Sequence, residues 1–499
     1  MSELELWNRV FSRGCIELRE HKWGELTLQG YEWPENKPEL RDMLCASLLI
    51  HLLLRQHRCL TCIFLDISVT TLERYIMWHG LMTGAGGIKC LEFKPYSIDG
   101  LRQMNFIERT TWAEAVASLT NLSILHLSNI HFGADVARIL GGYVEQATAL
   151  DTLKLINIKA DDTEASVFLD GLARNRTVKV LCVQGSFLIA RQGQALAEVV
   201  RNHVTLEKLE VTGFLAWTPS ALLSAVVQSQ TLTTLSVNAC SFRAEDIEAM
   251  ASALTLHPPF PTRDGEGVTE VAPLPPTSRL ENLTFTSCKS CDSRLDQAYA
   301  NLIGGVLVYL RLSQCCLGEG FAVAAAANLL CDRRLQELHV GDNDFSVGAL
   351  YNMIGALEVN KTLEALVVSV TGTQPQDEVL CLFDLIGKTD VFSRLKLIWT
   401  HPRGSDFARG VRASQASTIW RNLDENGAED AVEFLNALVS TRNVGVALLE
   451  CTTLAEQCVV QKLTDTLART KFLRKVYSAH LFHNGSARIM FQFPCSNTM

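Results

Sequence analysis

A leucine-rich phrase, L-x-x-L-x-L-x-x-(N/C/S/T)-x-Φ with Φ apolar, returns about every 28 residues and leaves few architectures open. Its first positions fall at Leu60, Ile88, Leu122, Leu150, Val178, Leu206, Leu232, Leu280, Leu307, Leu335 and Leu363, with successive spacings of 28, 34, 28, 28, 28, 26, 48, 27, 28 and 28. A unit of that length holds one short strand and one helix. Neither buries its apolar face alone, so neighbouring units must stack side by side.

Arg334 to Leu363 shows the unit in full. Leu335, Leu338 and Val340 alternate as a strand does, and Asn343 and Phe345 close the turn that follows. The period then changes: Val347, Leu350, Met353, Ile354 and Leu357 recur every three or four residues as the stripe of an amphipathic helix, which Asn360 ends. The same switch follows Phe132 and Phe242. The expected fold class is therefore α/β, a right-handed leucine-rich-repeat solenoid with parallel strands on the concave face and helices on the convex face.

The repeats resemble the ribonuclease-inhibitor-like leucine-rich repeats. The match rests on the 28-residue length, the helix-exit phrases NRTV (Asn175 to Val178) and NKTL (Asn360 to Leu363), and Cys or Asn at the ninth position. The resemblance implies an open horseshoe. It extends to the leucine-rich half of NLR-type receptors, without a NACHT domain, since no Walker motif is present, and without a CARD, for which the residues before Trp23 are expected to be too few. The expected organisation is an N-terminal helical cap over 1–22 and a solenoid of about 14 repeats over 23–490. Trp23, Leu26, Leu28, Tyr31 and Trp33 suit a first imperfect strand, and degenerate units are placed at Leu395, Ala416, Val444 and Leu473.

The 48-residue spacing between Leu232 and Leu280 holds an extra segment, 257–279, with six of the thirteen prolines. Proline at that density ends helices and strands, so an exposed loop is expected. Pro273 and Pro276 form a PxxP, with Arg279 one residue beyond the place such ligands use, and an inert insertion is the preferred reading of the loop.

The chain is 47% hydrophobic and 20% charged, with a formal net charge of −9. It has apolar material for a core and no basic stripe for phosphates, so nucleic acid is not an expected partner. MSELELWNRV lacks an export signal, and the apolar run Met43 to Leu54 is too short for a membrane span. Together with sixteen cysteines that fall inside strands and helices, these features place the expected protein in a reducing cytoplasm with no membrane partner. Five N-x-S/T sequons, at Asn121, Asn175, Asn282, Asn360 and Asn484, mostly coincide with strand entries, where the repeat itself uses Asn and Thr.

No catalytic motif has a credible context, and neither enzyme activity, cofactor nor metal is expected. Cys59 and Cys62 form a CxxC near His51 and His57, but strand alternation points Cys62 away from its core leucines and His51 belongs to the preceding helix. TGAGG at Gly84 to Gly87 leaves a helix and lacks the P-loop lysine, so it reads as a helix terminator. Small polar residues at the ninth position (Ser68, Ser186, Cys240, Cys288, Cys315, Asn343 and Thr371) are assigned to backbone hydrogen bonds at the strand exit.

The fifth residue of each repeat should point outward from the strand face. That column reads Phe64, Glu92, His126, Lys154, Cys182, Glu210, Ser236, Thr284, Arg311, His339, Val367, Leu448 and Tyr477. Its charges are mixed, unlike the acidic column needed to clamp a cationic ribonuclease. Phe64, Glu92, His126, Lys154, Glu210, Arg311, His339 and Tyr477 are the candidate protein-binding residues. The leading reading is a non-enzymatic scaffold for partner proteins. The alternatives are a substrate-recognition adaptor of a ubiquitin ligase and an activator of a small GTPase.

Overall fold

The computed structural model describes residues 2–30, 39–65, 71–84, 86–93, 106–185, 187, 190–213, 220–255, 278–288, 294–343, 345–370, 385, 394–400, 418–423, 446–451, 475–481 and 487–492. Contacts divide the chain into two units, 1–240 with 277–279, and 241–276 with 280–499.

In the first unit, β1 (Ile16–Lys22) and β2 (Glu25–Gly30) form an antiparallel hairpin. Parallel strands follow: β3 (Leu60–Leu65), β4 (Cys90–Phe93), β5 (Ile124–Ser128), β6 (Thr152–Ile158), β7 (Val180–Gly185), β8 (Lys208–Thr212) and β9 (Thr234–Asn238), each pairing with the next from β2 onward. Among the described residues a helix lies between successive strands from β2 onward, as between β5 and β6 (Ala134–Gln146) and between β6 and β7 (Asp162–Arg174).

The first, fourth and sixth positions form the strand side of the core; Leu150, Leu153 and Leu155 are all 0% exposed. Val136, Leu140, Tyr143 and Val144 bury the stripe of the adjoining helix against them. Each such side chain contributes about 1.5–3 kcal/mol on leaving water. Neighbouring helices approach closely where they carry glycine: a Cβ at Gly171 would collide with the carbonyl of Gly141.

Each end of the repeat unit is closed by a polar ladder. At the strand entry, Asn175 is fully buried; its Nδ2 donates to the carbonyls of Val144 (2.6 Å) and Ala147 (3.3 Å), and its Oδ1 accepts from the N–H groups of Thr177 and Val178 (both 2.8 Å). Asn360 repeats this on Leu329, Asp332, Thr362 and Leu363. His203, Ser229 and Asp332 hold the equivalent position and accept from the backbone of the following strand entry. The sequons at Asn175 and Asn360 are thus structural, and their amides are inaccessible to a glycan in the fold.

At the strand exit, the ninth-position side chains take the role read from the sequence. Asn343 donates to the carbonyls of Leu312 and Val340 and accepts from the N–H groups of Cys315 and Leu317. The thiols of Cys240, Cys288 and Cys315 donate to carbonyls two residues back. Ser68, Ser186 and Thr371 lie outside the described residues.

Residues 1–22 are only partly helical. A helix spans Ser2–Phe11, but Ile16–Lys22 is a strand, because Ile16 and Leu18 alternate with Glu17 and Arg19 and the chain reverses at Trp23–Gly24, where Gly24 has φ +79°. Trp23, expected inside the first strand, sits at that turn and is 99% exposed.

The second unit begins with the helix Ala244–Leu254 and continues through the parallel strands β10 (Asn282–Thr286), β11 (Tyr309–Ser313), β12 (Glu337–Val340), β13 (Ala365–Val370), β14 (Leu395–Thr400), β15 (Thr418–Leu423) and β16 (Val446–Cys451). It closes differently from the expected parallel unit at Leu473. β17 (Lys475–Leu481) and β18 (Ala487–Gln492) are antiparallel, and β18 pairs with β16. The dipeptide Asn484-Gly485 between two alternating runs is a hairpin signal that a 28-residue frame overlooks.

The phase of the late units also shifts. Leu395 opposes Leu366, so it is the fourth residue of its unit instead of the first. A short period-two run leaves its phase open, and strand pairing decides it. The inserted segment 257–279 lies outside the described residues except for Ser278 and Arg279.

Candidate functional site

Strand register brings the fifth positions into line. In the first unit Phe64 opposes Glu92, Glu92 opposes His126, His126 opposes Lys154, Lys154 opposes Cys182, Cys182 opposes Glu210 and Glu210 opposes Ser236. All but Cys182 are half-buried; Cys182 is 5% exposed. They alternate with core leucines on the same strands, so the row faces away from the helices.

The row is prewired at both ends. His126 Nδ1 is 3.4 Å from Glu92 Oε1, while its Nε2 is 3.0 Å from Ser128 Oγ, which fixes the ring. Farther along, Glu210 accepts from the Cys182 thiol (2.9 Å) and pairs with Lys208 Nζ (2.6 Å). Burial pushes the Cys182 thiol up to about 12, helped by the Glu210 carboxylate and opposed by Lys154 and Lys208, so the thiol is a donor and not a nucleophile at neutral pH. Desolvation pulls Glu210 upward, but hydrogen bonds from Cys182 and Lys208 and the charges of Lys208 and Lys154 together hold it below the ordinary carboxylate value. Lys154 lies between these two clusters and completes an alternation of acidic and basic groups.

In the second unit Thr284 opposes Arg311, Arg311 opposes His339 and His339 opposes Val367. Arg311 is exposed, and its Nε donates to Ser313 Oγ at 3.0 Å. His339 Nε2 is 3.0 Å from Glu337 Oε2, and its ring packs on Tyr309 at 5.0 Å between centroids. Burial raises the Tyr309 phenol.

The row continues from Val367 to Lys396. Leu448 and Tyr477 fall elsewhere: Tyr477 opposes Met490, Met490 opposes Leu448, Leu448 opposes Trp420, Trp420 opposes Ile398 and Ile398 opposes Ser369. By backbone register both belong to the neighbouring row, that of the seventh position, and the side chain of Tyr477 lies outside the described residues.

The CxxC group does not converge. His51 stacks on His79 (5.4 Å), His57 meets the edge of Trp7 (5.8 Å), and Cys62 opposes Cys90 on the next strand. Among the described residues no three or more His, Cys, Asp or Glu side chains are grouped to hold a metal, and no helix is long and apolar enough to cross a membrane. Gly84 ends the helix Thr71–Gly84, as TGAGG implied. A cleft of about 520 Å³ is lined by Glu248, Ser252, Asn301 and Asn328 among others and includes no residue of the strand row.

Sequence reasoning missed the eighth position. Asn129, Asn157, Ala239, Ser287, Gln314 and Asp342 all adopt left-handed backbone there, with φ between 52° and 59°. Two cross-repeat bonds run along this edge, Asn157 to Asn129 (2.7 Å) and Ser287 to Gln314 (2.7 Å). Asn and Asp hint at such a conformation, whereas Ala and Gln do not.

The sequence matches no protein-family model and no curated protein. Among solved structures it is similar to an internalin from Listeria monocytogenes, at 11% identity over 74% of this chain and 90% of that one, with a TM-score of 0.33. It is also similar to actin-binding site 2 of leiomodin-1, at 12% identity over 36% of this chain and 84% of that one, with a TM-score of 0.17.

Proposed function

We propose that the protein is a non-enzymatic scaffold that binds partner proteins across the strand face of right-handed repeats of the ribonuclease-inhibitor-like class, in a reducing cytoplasm and without nucleic acid or lipid as ligand. The observation that carries this reading is the in-register row Glu92, His126, Lys154, Cys182 and Glu210, whose two carboxylates are held in place by neighbours yet stay partly open to solvent. Preorientation lowers the entropy lost when such groups meet a partner. Alternating charge favours a partner of matching alternation over a uniformly cationic one. Phe64 adds an apolar contact at one end, and Arg311 and His339 supply an equivalent patch on the second unit. Free thiols at the described cysteines agree with a reducing compartment.

The test is proximity labelling in cells with the wild type, Lys154→Glu, and Arg138→Glu on a helix. Partners lost with the first variant and kept with the second support the row as the binding surface. An identical partner set for all three chains would remove it.

A further inference from the structure

Cys62 and Cys90 stand directly opposite each other on β3 and β4. They are third residues of consecutive repeats, 28 apart (90 − 62). Neighbouring strands run about 4.8 Å apart, and a disulfide accepts Cα separations of about 4.4–6.8 Å. Thr61 Oγ1 lies 3.7 Å from Cys62 Sγ. The CxxC partner Cys59 lies instead just before β3, with its carbonyl engaged by the N–H of Leu26.

The two sulfurs differ in access. Cys62 is half-buried and Cys90 is buried, 9% exposed. Burial, reinforced by Cys62 and Glu92 and opposed by Lys154, pushes the Cys90 thiol up to about 12. An incoming reagent therefore meets Cys62 first.

We propose that Cys62 and Cys90 are a redox-active dithiol that closes a cross-strand disulfide by exchange with a small-molecule disulfide of the glutathione type. The Cys62 thiolate attacks one sulfur of the reagent; the reagent's S–S bond breaks, a mixed disulfide forms at Cys62, and one reagent thiolate leaves and takes up a proton. Cys90 then gives up its proton and attacks Cys62 Sγ, forming the Cys62–Cys90 bond and releasing the second reagent thiol. The protein loses two electrons and two protons, and the reagent disulfide gains them. The bond ties β3 to β4 two residues before Phe64 and Glu92, so oxidation constrains the start of the strand row.

The full chain is equilibrated in graded mixtures of reduced and oxidised glutathione, acid-quenched, alkylated and mapped by mass spectrometry. The Cys62–Cys90 peptide should grow with the oxidised fraction in the wild type and in Cys59→Ser, and should vanish in Cys62→Ser. Cys90→Ala should stop at a glutathione adduct on Cys62, and the exposed Cys45 and Cys331 should carry adducts only. A Cys59–Cys62 link, adducts alone at Cys62 in the wild type, or a 62–90 link formed only in urea overturns the proposal. Wild type and Cys59→Ser decide the matter even if the variants at Cys62 or Cys90 do not fold.

Discussion

The strand-entry ladder and the fifth-position row recur with the same spacing yet treat polar atoms in opposite ways. In the ladder, Asn175 and Asn360 are 0% exposed and use both donor and acceptor on backbone groups within the repeat and the one before it. In the row, Glu92, His126, Lys154 and Glu210 are half-buried; Glu92 pairs with His126, and Glu210 with Cys182 and Lys208. A buried amide with every hydrogen bond satisfied holds the stack together. A partly solvated charge with capacity left over contributes little to stability and remains available to a partner.

The largest expected effect tests the ladder. Asn175→Ala takes one donor from the carbonyls of Val144 and Ala147 and strands the N–H groups of Thr177 and Val178, and should cost about 3 kcal/mol in urea unfolding. Asn175→Asp keeps the two acceptor bonds, as Asp332 does, and should cost less. Equal stability of Asn175→Ala and wild type would abolish the distinction between ladder and row.

Next comes the ladder histidine. Burial, chiefly, and the nearby Arg176 push His203 down to about 4. Its folded value lies below the unfolded one, so its stability is fully present above about pH 6.5 and is lost as pH falls through the folded value, by at most about 3 kcal/mol. His203→Asn, the residue found at this position in two other repeats, should flatten the unfolding midpoint between pH 6.5 and 4. A slope identical to that of the wild type would show that His203 is not the group responsible.

Lys154→Glu addresses the row. It should weaken a partner identified by labelling at least tenfold, about 1.4 kcal/mol, while shifting unfolding by less than about 0.5 kcal/mol. A large stability loss with unchanged affinity would place Lys154 among the structural residues. The smallest effect is expected at the strand exit: Ala239→Gly relieves φ 53° and should stabilise by up to about 1 kcal/mol, offset in part by the freedom glycine adds to the unfolded chain. Thermal unfolding of the pair measures it.

Much of this contrast is legible in the chain. Leucines at the first, fourth and sixth positions announce strands whose core side is settled, and the fifth residues must then share the other side. The phrases NRTV and NKTL mark strand entries, and Cys315 and Asn343 can be read as exit residues from their place alone. Other features leave no such trace. The left-handed eighth position is filled by Asn, Ala, Ser, Gln and Asp, a set without a common chemistry. The CxxC draws attention to Cys59, while the neighbour that matters is one whole repeat away. Both ends depart from the frame of parallel units. Antiparallel pairings stand there instead, and a 28-residue frame does not announce them.

Sequence by itself determined the unit, its strand–helix content and the side of the strand on which each residue falls, because these follow from a local periodicity of apolar groups. Tertiary structure alone decided which residue of one repeat stands opposite which residue of the next. Register is set by backbone hydrogen bonds between units, and a shift of two residues keeps every leucine in the core while moving Leu448 and Tyr477 out of the row. The pairing of Cys62 with Cys90 and the wiring of Glu210 to Cys182 exist only at that level.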